Sequence, residues 1–334
     1  MMRIADSNGL SFDDVLIKPT YSEVRSRSNV DLSTSVGSLN LKLPFIAANM
    51  ATVCEYTMAS AMDRLGGLGV VHRNVPLLER FSSVAGRTTN AAVAFGVNED
   101  LGAVIDFANR FRTPMLVLDI AHGHSKHALD ALTKVKGGLT YPANMVGGNI
   151  ATSEGVKAFV DAGADAVKVG IGPGSVCSTR VVTGVGVPQL SAISECVDAA
   201  DVLGVQVIAD GGIKSAGDAA KALAVGADAV MLGNMLAGTK EAPGDMVEHD
   251  GKMYKAHYGM ASEQAGSAYA EGVSGFVPYR GSVENIINAL VKGVSSTCSY
   301  VNAHTLAELH RNTEFIQITS AGLQESVPHD IMEI

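Results

Sequence analysis

The chain is predicted to be an α/β protein whose eight parallel strands close into a (β/α)8 barrel. Three observations carry this. Eight short apolar runs recur along the chain, each bounded by glycine or polar residues. They are rich in Val and Ile and too short for buried helices, as strands covered on both faces should be. Helical patterns fill the intervals between them, and the runs expected as strands seven and eight end in glycines, where such a barrel holds phosphate.

In order, the expected strands are Pro44–Met50, Leu68–His72, Ala91–Gly96, Pro114–Ala121, Asn144–Ile150, Ala166–Gly172, Val205–Gly212 and Ala229–Asn234. Thr152-Ser153-Glu154 reads as the opening of a helix over Gly155–Ala162. Ser215 through Ala224 is an alanine-rich amphipathic run that stops at Gly226. Asp210-Gly211-Gly212 closes the seventh run and Gly233-Asn234 the eighth, and glycines there let backbone N–H groups approach an anion. The segment from Glu248 to Gly281 is polar and glycine-rich with few helical signals. Its length suits an active-site flap. Ser282–Leu309 reads as helical again. The whole of 1–334 is expected to be one catalytic domain, with 248–281 as its flap. A doubly wound open sheet is the structural alternative.

Composition narrows the function. Hydrophobic residues make up 47% of the 334-residue chain and charged residues 18%, enough apolar content for a large core. The formal net charge of −9 argues against a nucleic-acid polymer as partner. No apolar run reaches the roughly 20 residues of a membrane span, and Met1-Met2-Arg3-Ile4-Ala5-Asp6 lacks the apolar stretch of a signal peptide. The four cysteines, Cys54, Cys177, Cys196 and Cys298, form no C-x-x-C pair, and the nine histidines show no zinc spacing. A cytoplasmic location with free thiols is the expectation.

The most informative stretch is Lys168-Val-Gly-Ile-Gly-Pro-Gly-Ser-Val-Cys-Ser-Thr-Arg180. It starts as a strand and becomes a glycine-rich loop at the barrel mouth. Cys177 there is reachable from solvent and lies two residues before Thr179 and three before Arg180. Positive charge and oriented N–H dipoles favour the thiolate, which is the attacking form. The other three cysteines sit in helical or mixed patterns and read as buried small hydrophobes.

The loop GIGPGSVCSTR resembles the catalytic loop of the inosine-monophosphate dehydrogenase and guanosine-monophosphate reductase family. The resemblance extends over nearly the whole chain. It takes in SFDDVLIKP at Ser11–Pro19, AANM at Ala47–Met50, LDIAHGHS at Leu118–Ser125, GGNIAT, ADGGIKSAGD, MLGNMLAGT, YGMASE and VPYRGSVEN. It implies a TIM barrel acting on GMP or IMP through a covalent bond from the cysteine to purine C2. The dehydrogenase branch passes hydride to NAD and hydrolyses the adduct. The reductase branch reaches it by expelling ammonia from GMP, and hydride from NADPH then releases IMP.

Residue by residue, the resemblance implies the following roles. Cys177 is the nucleophile, and Thr179 with Glu271 is the proton-transfer dyad; Glu263 is a second candidate, and a solvated loop carboxylate is the alternative for either glutamate. A departing amine needs a proton, and general acid help is worth roughly 10²–10⁴-fold. Asp210 meets the ribose hydroxyls, while Ser175, Gly211, Gly212, Gly233 and Asn234 cradle the 5′-phosphate. Gly259, Met260 and Ala261 line the base pocket, with ordinary packing as the alternative for Met260. Asp119, Ile120, Ala121, Ile171 and Gly172 face the nicotinamide; helix capping is the alternative for Asp119. Ser26, Arg27 and Arg73, with Ser296 and Thr297 from a neighbouring subunit, match dinucleotide contacts, and the two arginines could answer a 2′-phosphate. His122 and His124 orient their loop. The Gly172, Gly174 and Cys177 carbonyls, with Arg180 nearby, match a potassium site. A homotetramer or octamer is implied.

Within the family the reductase branch is favoured. No pair of CBS modules fits between His72-Arg73-Asn74 and the next strand, and Gly259–Gly281 holds no Arg-Tyr pair. Asn49, the runs SRSNVDL at Ser26–Leu32 and TGVGVPQLSA at Thr183–Ala192, and the tail run Ser296–Val301 also match reductases. ADGGIKSAGD, AGTKEAPGD, FIQITSAGLQESVPHD, a short flap and Ala51 after AANM pull toward a minimal dehydrogenase, which stays open here. So does a catalytically idle nucleotide-binding regulator. An aldolase-type phosphate barrel would need a Schiff-base lysine, and Lys168 alone lies near a strand end.

Overall fold

The computed structural model describes residues 8–328 apart from 87 and 267–269. The N-terminal Met1–Asp6 and the final His329 and Asp330 of the tail motif lie outside the described residues. The barrel strands are β1 (Phe45–Ala47), β2 (Leu68–Val71), β3 (Ala92–Phe95), β4 (Met115–Leu118), β5 (Asn144–Ile150), β6 (Ala166–Val169), β7 (Gln206–Asp210) and β8 (Ala229–Leu232). All eight pair in parallel, each with its neighbour in sequence, and β8 returns to β1 to close the ring. The open-sheet alternative is therefore excluded. Val230 pairs Phe45 and Leu232 pairs Ala47 at the closure.

Each expected strand exists; Asn144–Ile150 keeps its full length, and the other seven are shorter than the apolar runs that signalled them. The residues beyond each C-terminal end, such as Gly170–Gly172 and Gly211-Gly212, belong to βα loops. Glycines 170, 172, 211 and 212 all carry positive φ, a left-handed backbone that other residues resist. The apolar signal runs on past the ladder because the loop starts are also packed.

Helices α1 (Tyr56–Leu65), α2 (Leu77–Val84), α3 (Leu101–Phe111), α4 (Lys126–Gly138), α5 (Ser153–Asp161), α6 (Gln189–Leu203), α7 (Ala216–Ala224) and α8 (Val283–Tyr300) follow the strands. The helix starts obey their signals. Thr152 caps α5 by accepting from the Gly155 N–H, and Ser215 caps α7 by accepting from the Asp218 N–H. The C-terminal helical region is two pieces, α8 and α9 (Leu306–Asn312). Outside the repeats, a hairpin of Thr34–Val36 and Leu39–Leu41 precedes the barrel, and Val15–Ile17 pairs antiparallel with Phe315–Gln317.

The segment expected as a flap holds most of a small sheet. Strands β9 (Met246–His249), β10 (Lys252–Tyr258) and β11 (Ser274–Pro278) form an antiparallel three-stranded ribbon between the β8 end and α8. Its polar sequence hides the pattern because much of its surface faces solvent; β10 alone turns Lys255 and His257 inward. Lys255 Nζ donates to the Thr239 and Ala242 carbonyls, and burial lowers its pKa. His257 Nδ1 lies 2.8 Å from Thr52 Oγ1. Two buried polar residues thus root the ribbon on the barrel.

Candidate active site

One large cavity opens at the C-terminal end of the strands, with a volume of about 830 Å³, within the range of small-molecule sites. The chain brings together there Cys177, Thr179 and Glu271, the three residues singled out for chemistry. Ser175, Asp210, Gly211, Gly212, Gly233 and Asn234 line it, as do Gly259, Met260 and Ala261 from the ribbon's end.

Cys177 is exposed, whereas Cys54, Cys196 and Cys298 are buried. Burial pushes the thiols of Cys196 and Cys298 up to about 12 and about 11, and that of Cys54 higher still. Those three cannot supply a thiolate near neutral pH. The Cys177 Sγ lies 3.1 Å from Thr179 Oγ1, the first residue of the short helix Thr179–Thr183. Arg180 lines the cavity with Cys177 and also braces the loop. Its Nε donates to the Ile171 carbonyl at 3.0 Å and its Nη2 to the Val187 carbonyl, so the guanidinium clamps the loop together.

The ribbon closes on this loop through main chain. Val273 N–H donates to Val176 O at 2.9 Å, Ser178 N–H to Glu271 O at 2.8 Å, and Cys177 bridges Gly272 in antiparallel register. The approach is too close for side chains. A Cβ on Gly259 would lie 2.9 Å from Val176 O, and one on Gly272 would lie 3.2 Å from both the Gly259 Cα and the Ser262 N. Glu271 is thereby tethered by its own carbonyl, one residue before Gly272, the bridge partner of the nucleophile. Glu263 is exposed, in a 3-10 turn off the cavity wall.

On the cavity floor stands a polar cluster that sequence reasoning missed. Lys168 Nζ is 2.6 Å from Asp210 Oδ2, and Asn149 Nδ2 donates to the same oxygen at 2.9 Å. Lys168 also donates to Asn149 Oδ1. Lys168 is buried and lines the cavity with Asn149. Its Nζ is taken up by Asp210 and Asn149 rather than left free to meet a carbonyl carbon, which disfavours the Schiff-base reading of an aldolase. Across the cavity, Arg280 donates through Nη1 to the Asn234 carbonyl and through Nη2 to Asn234 Oδ1 at 3.2 Å, fixing that side chain's orientation.

The far side of the cavity carries Asp119, Ile120, Ala121, Arg73 and Gly172. Asp119 does not cap the next helix, whose N-cap is Ser125; it pairs instead with Arg73 Nε at 2.8 Å. Ile171 does not line the cavity: its side chain is buried in the core and its carbonyl serves Arg180. Ser26 and Arg27 are exposed; Ser26 caps and Arg27 opens the Arg27–Asn29 turn that packs on α8, the helix of Ser296 and Thr297. None of these four lines the cavity of its own chain. His122 and His124 are exposed on the loop after β4. Among the described residues no group of His, Cys, Asp and Glu has metal-holding geometry.

A family model described as IMP dehydrogenase / GMP reductase domain matches residues 9–329. The chain belongs to the IMP dehydrogenase / GMP reductase family. It is 41% identical to GMP reductase of Shewanella halifaxensis (strain HAW-EB4) over 340 positions, covering 95% of this chain and 97% of that one. Human GMP reductase 2 is 41% identical over 342 positions, with 96% and 97% covered. The inosine-5′-monophosphate dehydrogenase of Cryptosporidium parvum is 36% identical over 386 positions, with 97% and 95% covered. Both branches are thus similar over nearly full length, with higher identity to the reductases.

Proposed function

We propose that this protein is a GMP reductase, converting GMP to IMP and ammonia with NADPH. The single observation that carries the chemistry is the exposed Cys177 thiol, 3.1 Å from Thr179 Oγ1, on a loop sealed by the segment carrying Glu271. Similarity at 41% to GMP reductases over nearly the full chain supports the branch.

In this reading GMP lies with its phosphate at Ser175, Gly211, Gly212, Gly233 and Asn234. Its ribose meets Asp210, and its base lies against Gly259, Met260 and Ala261. Cys177 gives up its proton and its sulfur forms a bond to purine C2. The C2–NH2 bond then breaks, and a proton delivered through Thr179 and Glu271 lets the amine leave as ammonia rather than as NH2⁻. NADPH, when bound, supplies the hydride that completes the reduction at C2. Arg73, Asp119, Ile120, Ala121 and Gly172 would hold it, since they continue the same cavity beyond the sulfur. As the C2–H bond forms, the C2–S bond breaks and the thiolate returns to Cys177.

A potassium ion would take the carbonyls of Gly172, Gly174 and Cys177, a partial ring from one turn. The Gly174 carbonyl already accepts the Cys177 N–H at 3.1 Å, so other oxygens must complete the site. The four cavity-remote residues Ser26, Arg27, Ser296 and Thr297 fit a dinucleotide lying across a subunit boundary, as in a homotetramer or octamer. We read 1–334 as one catalytic domain with 248–281 as its flap, working in the cytoplasm. Among the described residues no helix is long and apolar enough to cross a membrane.

The test is paired. Enzyme is given GMP with NADPH, and separately IMP with NAD, while nicotinamide absorbance and ammonia are followed. Oxidation of NADPH with one ammonia per turnover supports the reading. Turnover of IMP alone would establish the minimal dehydrogenase, and absence of both reactions and of any covalent adduct would establish an idle binder.

A further inference from the structure

Arg80 is among the largest fully buried side chains of the protein, and it lies on α2, outside the cavity wall. Its guanidinium spends every N–H on a partner. Nε donates to Val75 O at 3.1 Å, and Nη1 to Ala94 O at 2.8 Å and Glu99 Oε2 at 3.1 Å. Nη2 donates to Arg73 O, to Val75 O at 2.8 Å and to Glu99 Oε1 at 2.7 Å. Glu99 in turn accepts from the Gly96 N–H at 2.9 Å. One ion pair thus ties the loop after β2, which carries Arg73, to the end of β3 and the loop after it.

Arg73 projects from this tied loop to meet Asp119, beyond β4, at 2.8 Å. Gly96 leaves it room: a Cβ there would lie 3.1 Å from Arg73 Cδ. Three successive βα loops are therefore held in register through Arg80 and Glu99. A buried ion pair contributes little net stability once desolvation is counted, so stability alone does not explain it. Only a planar five-donor fork can hold three carbonyls and a carboxylate at once, which a lysine cannot.

We propose that Arg80 and Glu99 are positioning residues that set affinity for the dinucleotide by fixing Arg73 and Asp119. They have no part in binding the purine nucleotide. The proposal rests on the dinucleotide reading of that side of the cavity.

Arg80→Lys and Glu99→Gln are compared with the parent enzyme in three measurements. These are KM for NADPH, KM for GMP, and NADPH binding followed by its own fluorescence without GMP. Protection of Cys177 from iodoacetamide by GMP reports the nucleotide site independently. Both variants should raise the KM and Kd for NADPH about tenfold, equivalent to about 1.4 kcal/mol. The GMP KM should stay within about twofold and GMP protection should be unchanged. The proposal is overturned if NADPH binding is unaltered in either variant, since an effect of Glu99→Gln alone would mean direct contact with the ligand. It is equally overturned if both KM values rise together with a lowered Tm. Should Arg80→Lys fail to fold, Glu99→Gln with Arg73→Gln decides: their effects on NADPH binding must be non-additive. A parent enzyme that binds NADPH but turns over only IMP defeats the reductase reading and leaves the binding comparison intact. A parent that binds no dinucleotide defeats both.

Discussion

Lys168 Nζ and Asp210 Oδ2 stand 2.6 Å apart at the floor of the cavity, the lysine buried and the aspartate partly exposed to the ligand space. The pair aims one carboxylate oxygen inward while its charge is balanced from below. Removing one partner of such a pair costs more than the pair contributes, because the other charge is left unmatched. Lys168→Met is expected to raise the GMP KM by roughly 10–100-fold, about 1.4–2.7 kcal/mol, with a smaller change in kcat. Steady-state kinetics checks this, and Lys168→Arg should recover part of the loss.

Native labelling should be selective. Cys177 is the exposed thiol, and the other three are buried with their thiols pushed up. Iodoacetamide at neutral pH is expected to add one carbamidomethyl group, located at Cys177 by peptide mass, and saturating GMP should block it. Labelling of Cys298 at a comparable rate would contradict the burial seen here.

Thr179→Val keeps the side chain's shape and removes the hydroxyl 3.1 Å from the sulfur. Its kcat for ammonia release should fall by about 10²–10⁴-fold, the range for lost proton transfer. The GMP-protected labelling of Cys177 should survive, which separates chemistry from binding.

Gly272→Ala tests the seal between ribbon and catalytic loop. The added methyl would sit 3.2 Å from the Gly259 Cα and the Ser262 N, so backbone must move. Activity should fall by about tenfold or more, since misplacement by about an ångström can cost about 10²-fold. The Tm should change little, because the ribbon contributes few residues to the core. A fully active Gly272→Ala enzyme would show that the seal is not needed.

Two groups give opposite pH dependences. Burial, then Arg280, lowers the His257 pKa to about 4, so its contribution to stability is present above 6.5 and lost as pH falls toward about 4. Burial raises Asp228 to about 6, so its contribution is present below 3.8 and lost as pH rises through about 6. Asp228→Asn should therefore raise Tm at pH 8, with the difference vanishing near pH 4. His257→Gln should flatten the loss of ribbon protection, measured by amide exchange, between pH 6.5 and 5.

Much of the molecule is legible one residue type at a time. Apolar runs of five to eight residues separated by capped helices are local signals, and all eight strands formed where they were read. Cys177, Thr179, Asp210 and the phosphate-side glycines follow each other closely along their loops, so a motif reveals them. The ribbon was hidden because Met246–His249 is exposed throughout and gives no alternation. The bonds from Arg180 to the Ile171 and Val187 carbonyls could not be read from sequence, because proximity to Cys177 says nothing of where a long side chain turns.

What the linear order of residues determined by itself was the succession of strands and helices, the nucleophile and its phosphate cradle. Tertiary structure alone decided the partners. Lys168 pairs with Ile208 in the β6–β7 ladder, so Asp210, two residues on, shares its face; a register shift at Gly148 and Ile150 marks the bulge that carries Asn149 to the same oxygen. Arg80 likewise meets Glu99 only because neighbouring strands lie side by side in the ring. Such pairings depend on the stagger with which the barrel closes, a property of all eight strands together and of no segment of sequence.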